Sequence, residues 1–131
     1  MTTTQPAKSA KKHCLIVDDS DVIRKVAAHL LKNLNFETSQ AENGQVALEQ
    51  CLKEMPDAVL LDWQMPVMGG IDFLASLRAQ PNGDLPIVVY CTTENDPTDI
   101  ARAIAAGADE YLLKPFDRDS LRGKFADMGL V

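Results

Sequence analysis

Ala58-Val59-Leu60-Leu61-Asp62 is the stretch on which the fold turns: four apolar residues in a row, then a carboxylate. Pro56 ends the helical pattern before it, and Pro66, Gly69 and Gly70 break the chain soon after. An apolar run this short, bounded by breakers, predicts a strand rather than a helix. Its lack of alternation predicts burial on both faces, as in a parallel sheet covered by helices.

The same pattern recurs on either side. His13-Cys14-Leu15-Ile16-Val17 runs into Asp18-Asp19-Ser20, Leu85 to Cys91 into Thr92-Thr93, and Asp109 to Leu113 into Lys114-Pro115. Phe36 to Ala41 is a more polar run that suits an edge strand. Amphipathic segments lie between. The first, capped by Ser20 or Asp19, keeps Val22, Ile23, Val26, Ala27, Leu30, Leu31 and Leu34 on one helical face. In the second, Asn43 caps a helix whose inner positions are Val46, Ala47, Leu48, Cys51 and Leu52. Ile71, Phe73, Leu74 and Leu77 mark the third. The fourth has Asp96 as cap, Pro97 in its first turn, Ile100 to Ala106 as its body and Gly107 as its stop. Asp117 caps the last, with Leu121, Phe125 and Met128 turned inward. Five strand–helix units joined by right-handed crossovers predict a doubly wound α/β sandwich. Pro81-Asn82-Gly83-Asp84 is turn chemistry.

The chain has 131 residues, enough for one domain with a real core. Residues 1–11 are polar and read as a flexible, solvated tail; residues 12–131 read as the domain. The tail precedes no apolar stretch of the kind a secretory signal needs, and no run of apolar residues is long enough to span a membrane. A net charge of −6 argues against non-specific nucleic-acid binding, which requires a basic surface. Three cysteines without CxxC spacing, each in an apolar run, read as buried free thiols of a reducing cytoplasm.

Ligands of doubly wound sheets bind beyond the carboxyl ends of the strands. Asp18, Asp19, Asp62, Thr92 and Lys114 all fall at such ends. Two like charges about 5 Å apart repel by roughly 3 kcal/mol at an effective dielectric of about 20, so a carboxylate cluster needs compensation. Lys114 supplies one positive charge; a divalent cation and a phosphoryl group would use the rest of the set. Each residue also has a plainer reading. One of the two aspartates can serve as a helix cap, Asp62 as a turn residue, Thr92 and Thr93 as β-branched strand residues, and Lys114 as a side chain reaching out to solvent.

The chain resembles the response-regulator receiver domains of the stand-alone, CheY-like type, over about residues 12–131. The resemblance is carried by the acidic pair Asp18-Asp19, Asp62 followed by Met65-Pro66 and Gly70, Thr92, and Lys114-Pro115-Phe116. It implies a five-stranded parallel sheet of order 2-1-3-4-5, the flavodoxin/CheY-like arrangement. It implies Asp62 as phosphoacceptor and Mg²⁺ held by Asp18, Asp19, Asp62 and the main-chain carbonyl of Gln64. Thr92 and Tyr111 would form the switch pair, and Gln64 and Glu94 would tune dephosphorylation. Lys114-Pro115 would be a candidate cis peptide. The implied donor is a phosphohistidine on a histidine kinase or histidine phosphotransfer protein. The implied output partner binds the fourth helix, fifth strand and fifth helix, where Arg118, Arg122 and Lys124 offer basic charge or simply a solvated face. Such a domain is cytoplasmic, binds neither nucleic acid nor membrane, and catalyses nothing beyond its own phosphorylation and dephosphorylation.

Two features depart from the family pattern: a second glycine at Gly69-Gly70, and a fourth helix that starts Pro97-Thr98-Asp99 without basic residues. The second puts flagellar-motor binding in question and keeps relay shuttle or phosphate sink as alternatives. An aspartate-based phosphohydrolase would carry a second aspartate where Gln64 stands. A flavin binder would need a glycine-rich loop where Asp18-Asp19-Ser20 stands.

Overall fold

A computed structural model of the chain describes residues 11–131 apart from 63, 64, 66, 94 and 95. Strands and helices alternate strictly: β1 (Lys12–Val17), α1 (Asp21–Asn33), β2 (Phe36–Ala41), α2 (Gly44–Lys53), β3 (Ala58–Asp62), α3 (Gly70–Arg78), β4 (Ile87–Thr92), α4 (Pro97–Ala106), β5 (Glu110–Leu113) and α5 (Arg118–Asp127). The strands form one parallel sheet in the order β2-β1-β3-β4-β5. The chain starts near the middle, builds outward to β2, and then returns through β3 to β5. The order therefore reverses between β1 and β3, the switch point at which such sheets bind ligands.

β3 is buried at every position, as its unbroken apolar run requires. Side chains alternate across the sheet. Cys14, Ile16, Leu60, Cys91 and Leu112 face a core closed by Ala27, Ala28 and Leu31 of α1 and Leu121 and Phe125 of α5. Leu15, Val17, Val59, Leu61, Val88 and Tyr90 face a second core closed by α2, α3 and α4, where Phe73, Leu74 and Leu77 are fully buried. Each large apolar side chain of this kind contributes about 1.5–3 kcal/mol, against roughly 1 kcal/mol for a helix cap. The caps set boundaries and the two cores hold the layers.

Those boundaries follow the sequence. Ser20 accepts from Ile23 N, Asn43 from Val46 N and Asp96 from Thr98 N. Asp117 and Ser120 form a reciprocal capping box. α4 ends at Gly107, whose φ of 122° suits only glycine.

Three apolar assignments are corrected. Val22 and Val26 are 69% and 48% exposed, and Leu52 is 56% exposed. Val22 and Leu52 each lie five residues from a fully buried alanine (Ala27 and Ala47), about 140° round the helix. Val26 lies as far round from the buried Leu31. The buried stripes are narrower than the apolar residues available. Leu85 is likewise outside β4, held in the preceding turn by its N–H to Asn82 O at 3.2 Å. The expected tail, apart from Lys11, lies outside the described residues.

Candidate phosphoacceptor and metal site

Strand parity assembles the site. Asp18 is two residues past Ile16, Asp62 two past Leu60 and Lys114 two past Leu112, and all three reference side chains belong to the α1–α5 core. The polar groups continue that phase beyond the sheet edge and so converge. Lys114 Nζ donates to Asp18 Oδ2 and to Asp62 Oδ1, each at 2.7 Å. The ion pairs are largely shielded, with the Lys114 side chain 13% exposed. Asp18, Asp19 and Asp62 bring carboxylate oxygens within 4.8 Å of one another, with Asp19 the exposed member.

The backbone around these groups is tied down. Asp18 N donates to Ala41 O of β2 at 3.1 Å, and Lys114 N donates to Thr92 O at 2.8 Å. Asp18 Oδ1 accepts from Ser20 N at 2.9 Å, which closes the β1–α1 turn. Asp18 is thus both turn former and site member, while Ser20 takes the cap. The Lys114–Pro115 peptide bond is cis.

Burial by itself depresses the Lys114 ammonium, but hydrogen bonds to Asp18 and Asp62, reinforced by their charge, hold its pKa above the usual lysine value. Lys114 is therefore a fixed cation at neutral pH. Three carboxylates and one ammonium leave two negative charges, which one divalent cation would balance. The donor set is all carboxylate oxygen, suited to a hard ion such as Mg²⁺ that keeps several waters. The residues fit such an ion.

Thr92 ends β4 and is buried, 2% exposed. Its parity is that of Tyr90, and Tyr90 pairs in register with Tyr111 of β5. Thr92 and Tyr111 therefore share the α4 side of the sheet, opposite in phase to the three charged groups. Tyr111 is half-buried against the second core. Gln64 and Glu94 lie outside the described residues.

Two participants escaped the sequence reading. Arg24 in the first turns of α1 donates from Nη1 to the main-chain carbonyl of Asp18 at 2.6 Å, from Nε to Gln40 Oε1 at 3.2 Å, and pairs with Asp21. It braces the turn that carries the acidic pair; the signal was a basic residue one helical turn after the cap Ser20. Gly44 at the start of α2 donates its N–H to Met68 O at 3.0 Å, and a Cβ there would sit 2.6 Å from that oxygen. It fixes the loop between β3 and α3, a contact no local pattern reveals.

Residues 14–126 match the family model for the response regulator receiver domain. The chain belongs to the response-regulator receiver family. This receiver domain is 38% identical over 111 residues to the chemotaxis protein CheY-3 of Vibrio cholerae serotype O1, covering 84% of this chain and 85% of that one. Its structure is similar to that of Vibrio cholerae CheY4, with a TM-score of 0.86 and 32% identity over 90% of this chain and 98% of the other. The receiver domain of the Pseudomonas aeruginosa sensor histidine kinase PA1611, solved with a magnesium ion coordinated in its active-site cleft, gives 0.83 at 28% identity over 90% and 97%. Receiver domains are signalling modules of two-component systems. No described helix of this one is long and apolar enough to cross a membrane.

Proposed function

We propose that this receiver domain, spanning residues 12–131, accepts a phosphoryl group on Asp62 and signals by the change of state that follows. The observation that carries the reading is Lys114 Nζ set between Asp18 and Asp62 at 2.7 Å from each. A lysine so placed neutralises the acceptor in the resting state and is already beside the charge that phosphorylation adds.

In the proposed step a carboxylate oxygen of Asp62 attacks phosphorus in a phosphohistidine of a kinase or phosphotransfer protein. A P–O bond forms, the P–N bond breaks, and the imidazole nitrogen leaves with the electron pair. Asp18 and Asp19, with Asp62 and the Gln64 carbonyl, would hold Mg²⁺, as the magnesium-bound cleft of the PA1611 receiver supports. Bound there, the ion would supply charge stabilisation for the phosphoryl oxygens. Lys114 donates to one of these oxygens once Asp62 carries the group as an acyl phosphate. The Thr92 hydroxyl donates to another, and this draws on the end of β4, on the same face of the sheet as Tyr111. Phosphorylation replaces one carboxylate charge by nearly two, which redistributes the charge that Lys114 and the metal site balance. The redistribution is the free-energy difference that a population shift requires. Gln64 and Glu94 would tune the lifetime of the phosphoryl group.

The α4–β5–α5 face is the proposed output surface for a partner protein. Ile104 and Leu113 expose apolar area there, at 43% and 39%. A cytoplasmic setting follows from this role and from three buried free cysteines.

Trp63, the only tryptophan, directly follows Asp62. Titrating Mg²⁺ and then acetyl phosphate should change its fluorescence in two steps, with the second step absent in Asp62→Asn. A chain that responds to neither ligand would rule the reading out.

A further inference from the structure

β5 is one of the two edge strands, and Tyr111 on it faces the α4 side while α5 packs on the other. Lys124 of α5 nonetheless reaches round that edge. Its Nζ lies 5.0 Å from the centre of the Tyr111 ring and 3.6 Å from Glu110 Oε1. The same Glu110 oxygen accepts the Tyr111 N–H at 2.9 Å. One carboxylate thus anchors both the ammonium and the backbone of the residue whose ring the ammonium covers. Lys124 and Glu110 are about a quarter and a third exposed in their side chains, partly shielded, where a cation over a ring is worth more than in open solvent.

We infer that Lys124 is a positioning residue for Tyr111, a latch that holds the ring in its half-buried resting place and sets how readily it leaves. The inference rests on the reading of Tyr111 as the aromatic that moves on phosphorylation. The cation attracts the ring face, and Glu110 keeps the cation from straying. Moving the ring inward gives up the cation–π contact, so the latch opposes activation. A partner that supplies a carboxylate to Lys124 on the α5 surface releases the ring and favours activation. Output binding and ring movement are then coupled through a single ammonium, without any shift of the α5 backbone.

The test is fluorine NMR of the full chain labelled with meta-fluorotyrosine. Only Tyr90 and Tyr111 report, and Tyr111→Phe assigns them. Lys124→Met keeps an unbranched side chain and removes the charge. Lys124→Arg keeps the charge. Glu110→Gln removes the anchor but keeps an oxygen for the Tyr111 N–H. Without added ligands, Lys124→Met should move the Tyr111 resonance and leave that of Tyr90. Glu110→Gln should move it less, and Lys124→Arg should leave it near its original position. With Mg²⁺ and acetyl phosphate, Lys124→Met should shift the ring equilibrium toward the activated position about two- to fivefold relative to the parent chain. A Tyr111 resonance unmoved in Lys124→Met, or moved equally in Lys124→Arg, would overturn the latch. If the resonance moves in the resting Lys124→Met variant while Mg²⁺ and acetyl phosphate move it in no chain, the positioning of the ring by Lys124 stands and the switch role of Tyr111 falls, with the latch's control over it.

Discussion

Lys114 and Asp19 occupy opposite electrostatic positions in the same cluster. Lys114 is shielded and hydrogen-bonded to two carboxylates, whereas Asp19 is exposed and adds charge to a group that already carries an excess. Neutralising Asp19 relieves repulsion without breaking the Lys114 bonds. Asp19→Asn should therefore raise the stability of the metal-free protein by about 0.5–1 kcal/mol. Added Mg²⁺ should erase or reverse that gain, as thermal melts with and without the ion will show. Lys114→Met acts in the other sense and leaves Asp18 and Asp62 facing one another. It should cost about 1–3 kcal/mol without metal, and Mg²⁺ should recover more stability for it than for the parent. The pH dependence has a definite sign. The Lys114 pKa is raised in the folded protein, so its contribution is complete below the ordinary lysine value of 10.5 and is lost as the pH climbs through the folded value. The melting gap between parent and Lys114→Met should be constant near neutrality and narrow in strong alkali.

At the scale of elements, the charged cluster was legible because parity and strand ends are local properties. Once Ile16, Leu60 and Leu112 are core, Asp18, Asp62 and Lys114 follow two residues later. Arg24, Gly44 and Lys124 were not legible, since each acts on a residue distant in sequence or on a main-chain atom. The narrow stripes of α1 and α2 were misjudged for a related reason: Val22, Val26 and Leu52 are apolar, but helix rotation is set by what the sheet accepts. Arg78 is a further case of this long-range kind. From the end of α3 it donates to the carbonyls of Gly83, Pro86 and Gly107 and to Asp109, joining the β4 approach to the α4–β5 corner. Arg78→Ala takes its donors from the three carbonyls, while Asp109 keeps the Val88 N–H at 2.8 Å, and should destabilise by about 2–4 kcal/mol. Arg78→Lys should recover only part, because an ammonium cannot reproduce the planar fork. Gly107→Ala should also destabilise, since a Cβ at φ 122° would sit 2.7 Å from Arg78 Cγ. Chemical denaturation of the three variants measures these costs.

Across the whole molecule, two cores sandwich a sheet whose carboxyl edge carries the chemistry. The edge opposite β2 carries the proposed output face. The cores also enclose Cys14, Cys51 and Cys91. Burial pushes the Cys14 thiol up to about 12 and that of Cys51 to about 11, and raises Cys91 further. None should react with a thiol reagent in the native protein at neutral pH; labelling should follow the rate of unfolding, and rapid labelling of any one would show that its core is open. Every proposed step of signalling begins with Asp62 as the acceptor. Intact-mass spectrometry of the full chain after acetyl phosphate and Mg²⁺ tests this most directly. One added phosphoryl group should appear in the parent chain, disappear when the metal is chelated, and be absent in Asp62→Asn. An undiminished phosphoryl adduct in Asp62→Asn, or none in the parent chain, would contradict it.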